Sequence, residues 1–229
     1  MSKKVIITGA TGMVGKGILL ECLDHNQISE VLVIGRSPLK MDHPKLRELI
    51  HKDFSDFSPV IEQLKGYDAC FYSLGISAAR LKEAQYRRIT YDFAMALANV
   101  LLDLNPNMTF NYISGEGTDS SEKGRMMWAR VKGKTENDLL KIGFKQAYMF
   151  RPGAIIPLRG IKSRTKSYQF MYDYFMWLVK GIKAIAPNSV VSTTQIGLAM
   201  INSMLKGYDK KVLKPKDIIM LADFVVDHS

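Results

Sequence analysis

Cysteine is scarce in this sequence. Only two of the 229 residues are cysteines, Cys22 and Cys70, and they lie far apart in apolar surroundings. Two such residues exclude a disulfide framework and a Cys-rich zinc site. The scarcity favours a reducing compartment, and we expect the protein to be cytoplasmic.

Histidine is also scarce. The four histidines are His25, His43, His51 and His228, which leaves none between residues 52 and 227. A Ser-His-Asp triad and the His-based zinc-hydrolase motifs are therefore excluded from that stretch. We expect no metal site.

Long hydrophobic runs are lacking as well. The longest spans residues 93–102, about half of the roughly 20 residues that cross a bilayer, and Asn99 interrupts it. The N-terminus passes from Met-Ser-Lys-Lys directly into Val-Ile-Ile-Thr-Gly, which is too short and too glycine-rich for a secretion signal. We therefore expect neither a transmembrane segment nor secretion.

Composition and charge are those of a globular, basic protein. Hydrophobic residues make up 47% and charged residues 24%, which excludes a disordered tail protein or a fibrous repeat. Lys and Arg total 32 against 22 Asp and Glu, so the formal charge is +10 and the surface should attract anions. Phosphorylated ligands, nucleic acid and acidic lipids all fit this charge. No nucleic-acid-binding motif accompanies it, so we expect no nucleic-acid partner.

Short runs rich in β-branched and aromatic residues alternate with segments of helical spacing. The predicted strands cover residues 4–8, 31–35, 69–74, 109–113 and 147–150, with a weaker third strand at 49–54. Strands that alternate with helices require crossovers, which produce a mainly parallel sheet with helices on both faces. The sequence therefore predicts an α/β fold with a doubly wound, mainly parallel, Rossmann-like sheet.

The alternation of predicted strands and helices is less regular after Pro152. A basic stretch at 159–166 precedes an aromatic helix candidate at 167–183. We predict a single domain over 1–229, in which about 153–229 forms a small C-terminal lobe on the substrate side. The aromatic segment fits a roof over a pocket, the face of a homodimer or, less commonly, a contact with an acidic membrane surface.

A glycine-rich motif follows the first predicted strand and opens a helix. Glycine at the turn permits unusual backbone angles, a second lets a pyrophosphate approach the backbone, and a third lets the helix pack on its strand. The phosphates would then meet free helix N–H groups and the positive end of the helix dipole. We predict that this motif binds a dinucleotide; the alternative is a tight turn without a ligand. The residues predicted to bind the dinucleotide are Gly9, Thr11, Gly12, Met13, Val14 and Gly15.

The end of the second predicted strand is where a dinucleotide fold selects its cofactor. An acidic residue there would hold the 2′-hydroxyl of NAD, but this chain has Arg36 followed by Ser37. A guanidinium can stack on adenine and bind a 2′-phosphate, with Ser37 or Lys40 assisting. We therefore predict NADP (NADPH) as the cofactor; the alternative is a solvated surface arginine.

Two later strand ends complete the predicted cofactor site. Asp53, followed by Phe54, is placed to accept from the adenine amino group, and the alternative is an exposed loop aspartate. Leu74 and Gly75 follow the fourth strand, where a glycine lets the backbone pass close to the ribose and the diphosphate.

Several motifs resemble the extended and atypical members of the short-chain dehydrogenase/reductase superfamily, and more closely its Tat-interacting-protein type. They are the glycine-rich opening, residues 70–75 ending in Leu-Gly, Phe-Asn-Tyr-Ile-Ser at 110–114, Val-Lys-Gly-Lys at 131–134 with Glu136, and Phe-Arg-Pro-Gly at 150–153. The resemblance implies a Rossmann-like domain that binds NADP(H), with the nicotinamide facing a cleft under the C-terminal lobe. It also implies that Pro152 lies beside the cofactor.

The resemblance breaks at the catalytic motif. In that superfamily a Tyr-x-x-x-Lys pair on one helix, with a serine from the preceding strand end, moves the proton that accompanies hydride transfer. The lysine matches Lys132, but Trp128 stands where the tyrosine is expected, and indole has no usable acid-base titration. The candidate catalytic residues are therefore Ser114 and Lys132. The alternatives are a serine that satisfies a backbone group at the strand end and a surface lysine.

Two functions stay open. One is an NADP(H)-dependent oxidoreductase or epimerase-like enzyme that transfers a hydride to or from a small carbonyl or hydroxyl compound. The general acid that donates the proton in this reaction would be Ser114, a tyrosine of the C-terminal lobe or water. The other is a catalytically silent, NADPH-binding regulatory or interaction protein, which Trp128 favours.

Overall fold

A parallel β-sheet forms the centre of the protein, in a computed structural model that describes residues 2–161 and 189–224. Its strands lie in the order β3-β2-β1-β4-β5-β6-β9, and every neighbouring pair is parallel. They are β1 (Lys3–Thr8), β2 (Ile28–Gly35), β3 (Leu46–Ile50), β4 (Ala69–Tyr72), β5 (Thr109–Ile113), β6 (Gln146–Phe150) and β9 (Val212–Leu213). The reversal of strand order between β1 and β4 is that of a Rossmann fold and confirms the predicted fold class.

Helices cover both faces of this sheet. One layer contains α1 (Met13–Asp24), α5 (Thr193–Lys206) and α6 (Pro215–Ala222), and the other contains α3 (Phe93–Leu104) and α4 (Met127–Lys141). Before α3, the short helix α2 (Glu83–Arg87) continues into a π-helical turn (Arg88–Asp92). A 3₁₀-helix covers Ser58–Leu64. Two further strands, β7 (Ala154–Ile156) and β8 (Val190–Ser192), pair in parallel apart from the main sheet.

The central strand shows why the core has two layers. Val5, Ile6 and Ile7 are fully buried, with Val5 and Ile7 packing on the α1 layer and Ile6 on the α3 layer. A continuous apolar run is typical of a parallel strand that is covered on both faces. The two cysteines lie in different layers, Cys22 with α1 and Cys70 with α3, so the sheet separates their thiols.

The predicted third strand was wrong in position. Residues 49–54 were expected, whereas β3 spans Leu46–Ile50 and pairs with β2 so that Leu49 lies opposite Ile34. After Ile50 the chain turns, and Ser55 N donates to Asp53 Oδ1 at 2.9 Å. This edge strand is largely exposed, so its hydrophobic pattern carries little information about register.

The C-terminal part of the chain joins the main body. Strand β9 extends the sheet beside β6, and α5 packs against α1. The division into one domain with a lobe at 153–229 stays a prediction, and the aromatic segment 167–183 lies outside the described residues. No helix in the described ranges has both the length and the apolar character needed to span a bilayer.

Helices α1 and α5 approach closely at a glycine. A Cβ on Gly17 would lie 2.6 Å from Thr193 Cβ. Thr193 is fully buried, and its hydroxyl accepts a hydrogen bond from Leu158 N at 3.1 Å, so it has little freedom to move. The absence of a side chain at Gly17 thus sets the spacing of the two helices.

We expect Gly17→Ala to destabilise the fold by about 1–3 kcal/mol, the usual cost of inserting a methyl group into a well-packed core. Urea unfolding measures the change. Gly75→Ala is the matched control, because nothing lies within 4 Å of the added Cβ, and it should keep the stability of the parent. Equal stability of Gly17→Ala and the parent would contradict this account of the helix contact.

Candidate functional site

Two adjoining pockets lie at the carboxyl edge of the sheet, and Leu74 lines both. We call the first the outer pocket; it is lined by residues 9–11 and 33–37 with Leu39, Phe54 and Leu74. We call the second the inner pocket; it is lined by residues 12–15 and 73–77 with Thr90, Tyr112, Ile113 and Lys132. Open α/β sheets bind their ligands at this edge, next to the point where the strand order reverses.

The three glycines of the loop between β1 and α1 have different roles. Gly9 has a φ of +72°, and a Cβ there would lie 2.6 Å from Ser73 O. A Cβ on Gly15 would lie 2.6 Å from Ser73 Oγ, so both glycines are required by the packing of the protein itself. Gly12 is exposed, and only Gly9 O, at 3.3 Å, would contact its Cβ. Its missing side chain therefore leaves space above the start of α1, which a ligand can use.

The first turn of α1 is suited to an anion. Gly12 is the N-cap residue that precedes the helix, it offers no side chain to cap it, and the first turn contains no acidic residue. The first N–H groups of a helix lack partners within it and carry the positive end of its dipole. Gly12, Met13 and Val14 line the inner pocket, so the start of this helix lies beside the space where the phosphates were predicted.

The outer pocket brings Arg36 and Ser37 to its rim and the buried Phe54 into its wall. Within the described ranges, no hydrogen bond or ion pair holds the Arg36 guanidinium. Asp53 does not line this pocket: its Oδ1 accepts from Ser55 Oγ at 2.5 Å and from Ser55 N, and these bonds hold the pKa of the carboxyl below its usual range. Its contact with adenine stays a prediction.

The inner pocket brings Lys132 of α4 together with the glycine loop and with Leu74 and Gly75. Lys132 Nζ donates to the carbonyl oxygen of Ser114. Burial disfavours the ammonium form and lowers the pKa of Lys132 to about 8, while the Glu136 carboxylate, one helical turn away, acts in the opposite direction. The amine is thus held beside the pocket in a position to contact a ligand.

Ser114 points away from both pockets. Its buried hydroxyl bonds to the Glu136 carboxylate and lies 3.1 Å from Phe150 O. Glu136 is 1% exposed and also accepts from Arg151, whose Nε lies 3.0 and 3.1 Å from the two carboxylate oxygens. These contacts favour the structural alternative for Ser114, and its catalytic role stays a prediction.

Trp128 and Pro152 line neither pocket in the part of the chain that the structure describes. Trp128 lies in the first turn of α4, and its ring would be 3.2 Å from a Cβ on Gly117. Pro152 is buried, and its carbonyl accepts from Glu116 N at 3.0 Å. Both residues therefore shape the loop that follows β5.

Thr90 and Tyr112 are among the inner-pocket residues that the sequence analysis did not assign to a site. Thr90 lies in the π-helical turn, is 2% exposed, and its Oγ1 has no hydrogen-bond partner among the described residues. Tyr112 of β5 is buried, and burial raises the pKa of its phenol above the ordinary value. Single π-helical turns occur frequently at functional sites, but no simple sequence signal announces them.

Metal binding finds no support in the described residues. In 2–161 and 189–224, no three His, Cys, Asp or Glu side chains are grouped so that they could hold a metal ion.

Comparison with known proteins identifies relatives by sequence. No protein-family model matches the chain. The chain is similar to Protein HTATIP2 of Rattus norvegicus, with 28% identity over 157 residues, which are 68% of this chain and 64% of that protein. The match therefore spans less than two thirds of that relative. The chain is also similar to Protein FMP52, mitochondrial, of Candida albicans, with 25% identity over 228 residues, 96% of this chain and 95% of the relative.

Solved structures with the same fold are more distant in sequence. An oxidoreductase of the short-chain dehydrogenase/reductase family from Burkholderia thailandensis has a TM-score of 0.71 at 11% identity, covering 96% of this chain and 93% of that one. The Bordetella bronchiseptica enzyme WbmF, in complex with NAD⁺, has a TM-score of 0.68 at 14% identity, covering 96% and 76%. At such identities the likeness shows the fold alone.

We expect Lys132 to titrate with a pKa of about 8, against 10.5 for an ordinary lysine, because burial disfavours its charged form. Glu136→Gln removes the carboxylate that favours the ammonium, so the pKa of Lys132 should fall further. Side-chain NMR titration of the parent and the variant measures both values, and circular dichroism checks that the variant is folded. A pKa near 10.5 in the parent, or no change in the folded variant, would contradict this electrostatic picture.

Proposed function

We propose that this chain binds NADP(H) at the carboxyl edge of the sheet. The premise is its resemblance, in sequence and in fold, to the atypical short-chain dehydrogenase/reductase superfamily. The bound cofactor would serve hydride transfer to or from a small carbonyl or hydroxyl compound, as in an oxidoreductase or an epimerase-like enzyme. One observation carries the proposal: the uncapped start of α1, left open by Gly12, shares the inner pocket with Lys132.

The residues of the two pockets fit a dinucleotide. The N–H groups after Gly12 would bind the pyrophosphate, because they are free donors at the positive end of a helix. Lys132 would hold the ribose hydroxyls on the nicotinamide side, and the unpartnered hydroxyl of Thr90 in the same pocket offers a further hydrogen bond. Gly75, with open space around a Cβ position, lets the cofactor pass close to the backbone. When bound, NADPH supplies the hydride.

The preference for NADP(H) rests on the outer pocket. The rim residue Arg36 has no partner in the described structure, and no carboxylate lines this pocket to hold a 2′-hydroxyl. A guanidinium is suited to a phosphate, with which it forms paired, charge-assisted hydrogen bonds. NAD⁺ is the alternative cofactor, since WbmF, which shares the fold, was solved with it.

Proton transfer must proceed without the usual tyrosine. Trp128 cannot titrate, and the Ser114 hydroxyl is engaged with Glu136. Lys132 lines the inner pocket, and its pKa of about 8 lies close to neutral pH, where a general acid is most effective. We therefore place the transferable proton on Lys132 Nζ; water and a tyrosine of segment 167–183 are the other sources.

A silent, NADPH-binding regulatory or interaction protein is the second candidate function. The observation that favours it is Trp128, which packs near Gly117, lines neither pocket and has no acid-base group. In that case the cofactor would stabilise a surface for a partner. A homodimer formed through segment 167–183 is one such assembly, and size-exclusion chromatography with light scattering tests it.

The compartment is part of the same proposal. Two buried, free cysteines fit the cytoplasm. The Candida albicans relative is named as a mitochondrial protein, which makes mitochondria the alternative. Cell fractionation with an antibody to this chain distinguishes the two.

We expect Gly12→Val to abolish NADPH binding in a protein that remains folded. The branched side chain would fill the space above α1, whereas the protein itself offers only one contact to it, at 3.3 Å from Cβ. Cofactor titration and circular dichroism on the same sample separate the two effects. Gly12→Ala, with a smaller side chain, should weaken binding less. Undiminished affinity in folded Gly12→Val would place the phosphates elsewhere.

We expect Trp128→Tyr to accelerate reduction of a simple aldehyde or ketone by NADPH, because the phenol would stand one helical turn from Lys132. General acid-base help contributes about a hundredfold to ten-thousandfold in rate. Trp128→Phe is the matched control, since it lacks the hydroxyl and should gain nothing. An inactive Trp128→Tyr that still binds NADPH would favour the silent binding protein. A parent that is active and is slowed by this change would contradict our view of Trp128.

A further inference from the structure

The lining of the inner pocket divides into groups that suit the cofactor and groups that are left for a substrate. The cofactor proposed above takes three polar features, namely the start of α1, Lys132 and Thr90. Among the described residues that line this pocket, there is no Asp, Glu, Asn, Gln, His or Arg. A substrate beside the cofactor therefore meets a mainly apolar lining. The apolar side chains in it are Met13, Val14, Leu74, Ile76 and Ile113.

Few hydroxyl groups of the inner pocket remain for a substrate. Ser73 Oγ donates to Thr8 O at 2.6 Å, so its proton is already in use. Ser77 and the buried Tyr112 carry the other two hydroxyls. Two hydroxyls suit a single carbonyl oxygen, whereas a sugar carries a hydroxyl on nearly every carbon. Because burial of a hydroxyl without a partner costs free energy, this lining disfavours a sugar.

Ile76 is an exposed apolar side chain at the border of the inner pocket. It directly follows Gly75 in the loop after β4, it lines the pocket, and 44% of its surface is accessible to solvent. An apolar side chain in this position loses contact with water when a hydrocarbon ligand binds beside it, and this loss is favourable. Ile76 therefore offers binding free energy to an apolar ligand and none to a hydroxyl group.

The neighbouring strand connection adds apolar side chains at the same edge of the sheet. The loop after β5 ends at Met126, which is exposed, and Trp128 lies in the first turn of α4. A helix that follows a parallel strand begins at the carboxyl edge of the sheet, so both residues lie at the edge where Ile76 lies. Trp128 stands one helical turn before Lys132, on the same side of α4. An indole at this position adds apolar surface where a phenol would add a hydroxyl.

We propose that the substrate of this site is an apolar carbonyl compound, with one ketone or aldehyde group on a hydrocarbon body that Ile76 contacts at the border of the inner pocket. This inference rests on the proposed function and names its substrate class. The hydrocarbon body passes from water to the apolar lining, which is favourable in proportion to the apolar area that is buried. A substrate with many hydroxyls gains little there.

The test measures ligand binding to protein saturated with NADP⁺, in which a ketone cannot be reduced, so that no turnover is needed. The ligands are 2-butanone, 2-hexanone and 2-octanone, together with erythrulose, which is 2-butanone with a hydroxyl on each of the three other carbons. Titrations followed by protein NMR give the dissociation constants, including weak ones.

Two matched variants locate the apolar contact. Ile76→Gln replaces the exposed apolar side chain with a polar one. Ile50→Gln is the control, because Ile50 is exposed to nearly the same extent, 46%, but ends β3 and does not line the inner pocket. Substitutions at exposed positions usually have little effect on stability, so both variants should fold and bind NADP⁺ like the parent.

We expect the affinity of the parent to rise about two- to fourfold with each methylene added to the ketone, where about fourfold corresponds to complete burial. Erythrulose should bind no more tightly than 2-butanone. Ile76→Gln should weaken 2-octanone about fivefold and change erythrulose by less than about twofold, because only the hydrocarbon contact is lost. Ile50→Gln should keep the affinities of the parent.

Three results would overturn this inference and leave the proposed function intact. They are an affinity that does not rise along the ketone series, a preference for erythrulose over 2-butanone, and an equal loss of 2-octanone affinity in the two variants. Failure of the parent to bind NADP⁺ would overturn the proposed function and this inference together.

Discussion

Close packing of α1 on the carboxyl ends of β1 and β4 is the constraint on which the site depends. Gly9 and Gly15 leave room only for the backbone and the hydroxyl of Ser73. Ser73 Oγ donates to Thr8 O at 2.6 Å, which joins the two strand ends at the point where the sheet order reverses. As a result the N-terminus of α1 is held beside the cleft without a side-chain cap, and Gly12 keeps the approach open. The site is therefore a consequence of glycine packing before any polar side chain is considered.

A buried ionic cluster positions the other wall of the cleft. Glu136 joins Ser114 of the β5 end to Arg151 of the β6 end, and Lys132 donates to the Ser114 carbonyl. Removing one partner of such a buried pair commonly costs about 3–5 kcal/mol, because the remaining charge loses its compensation. The cluster holds α4, β5 and β6 in register and keeps Lys132 at the inner pocket. The position of this lysine is thus maintained by contacts that do not involve Trp128.

The sequence predicted those features of the fold and the site that depend on residues close together in the chain. Glycine spacing after a first strand predicted the fold and the loop, and Leu74, Gly75 and Lys132 do meet that loop in one pocket. Contacts that the sequence did not reveal depend mostly on distant partners. The hydroxyl of Ser114 bonds to Glu136, which is 22 residues away, and Thr90 lies in a π-helical turn that no simple sequence signal announces. Asp53 is different, because its bond to Ser55 two residues later is a local turn pattern that the sequence could have revealed.

The central claim is that a phosphorylated dinucleotide binds at the start of α1. It is tested most directly by following backbone amide NMR signals while NADPH is added to the parent protein. The account predicts that the largest shifts fall on residues 11–15, with further shifts at 36–37 and 74–75. A different pocket lies between α2 and α4, where Arg87 and Arg130 offer other cations. Shifts concentrated at those two residues, with 11–15 unmoved, would contradict the account.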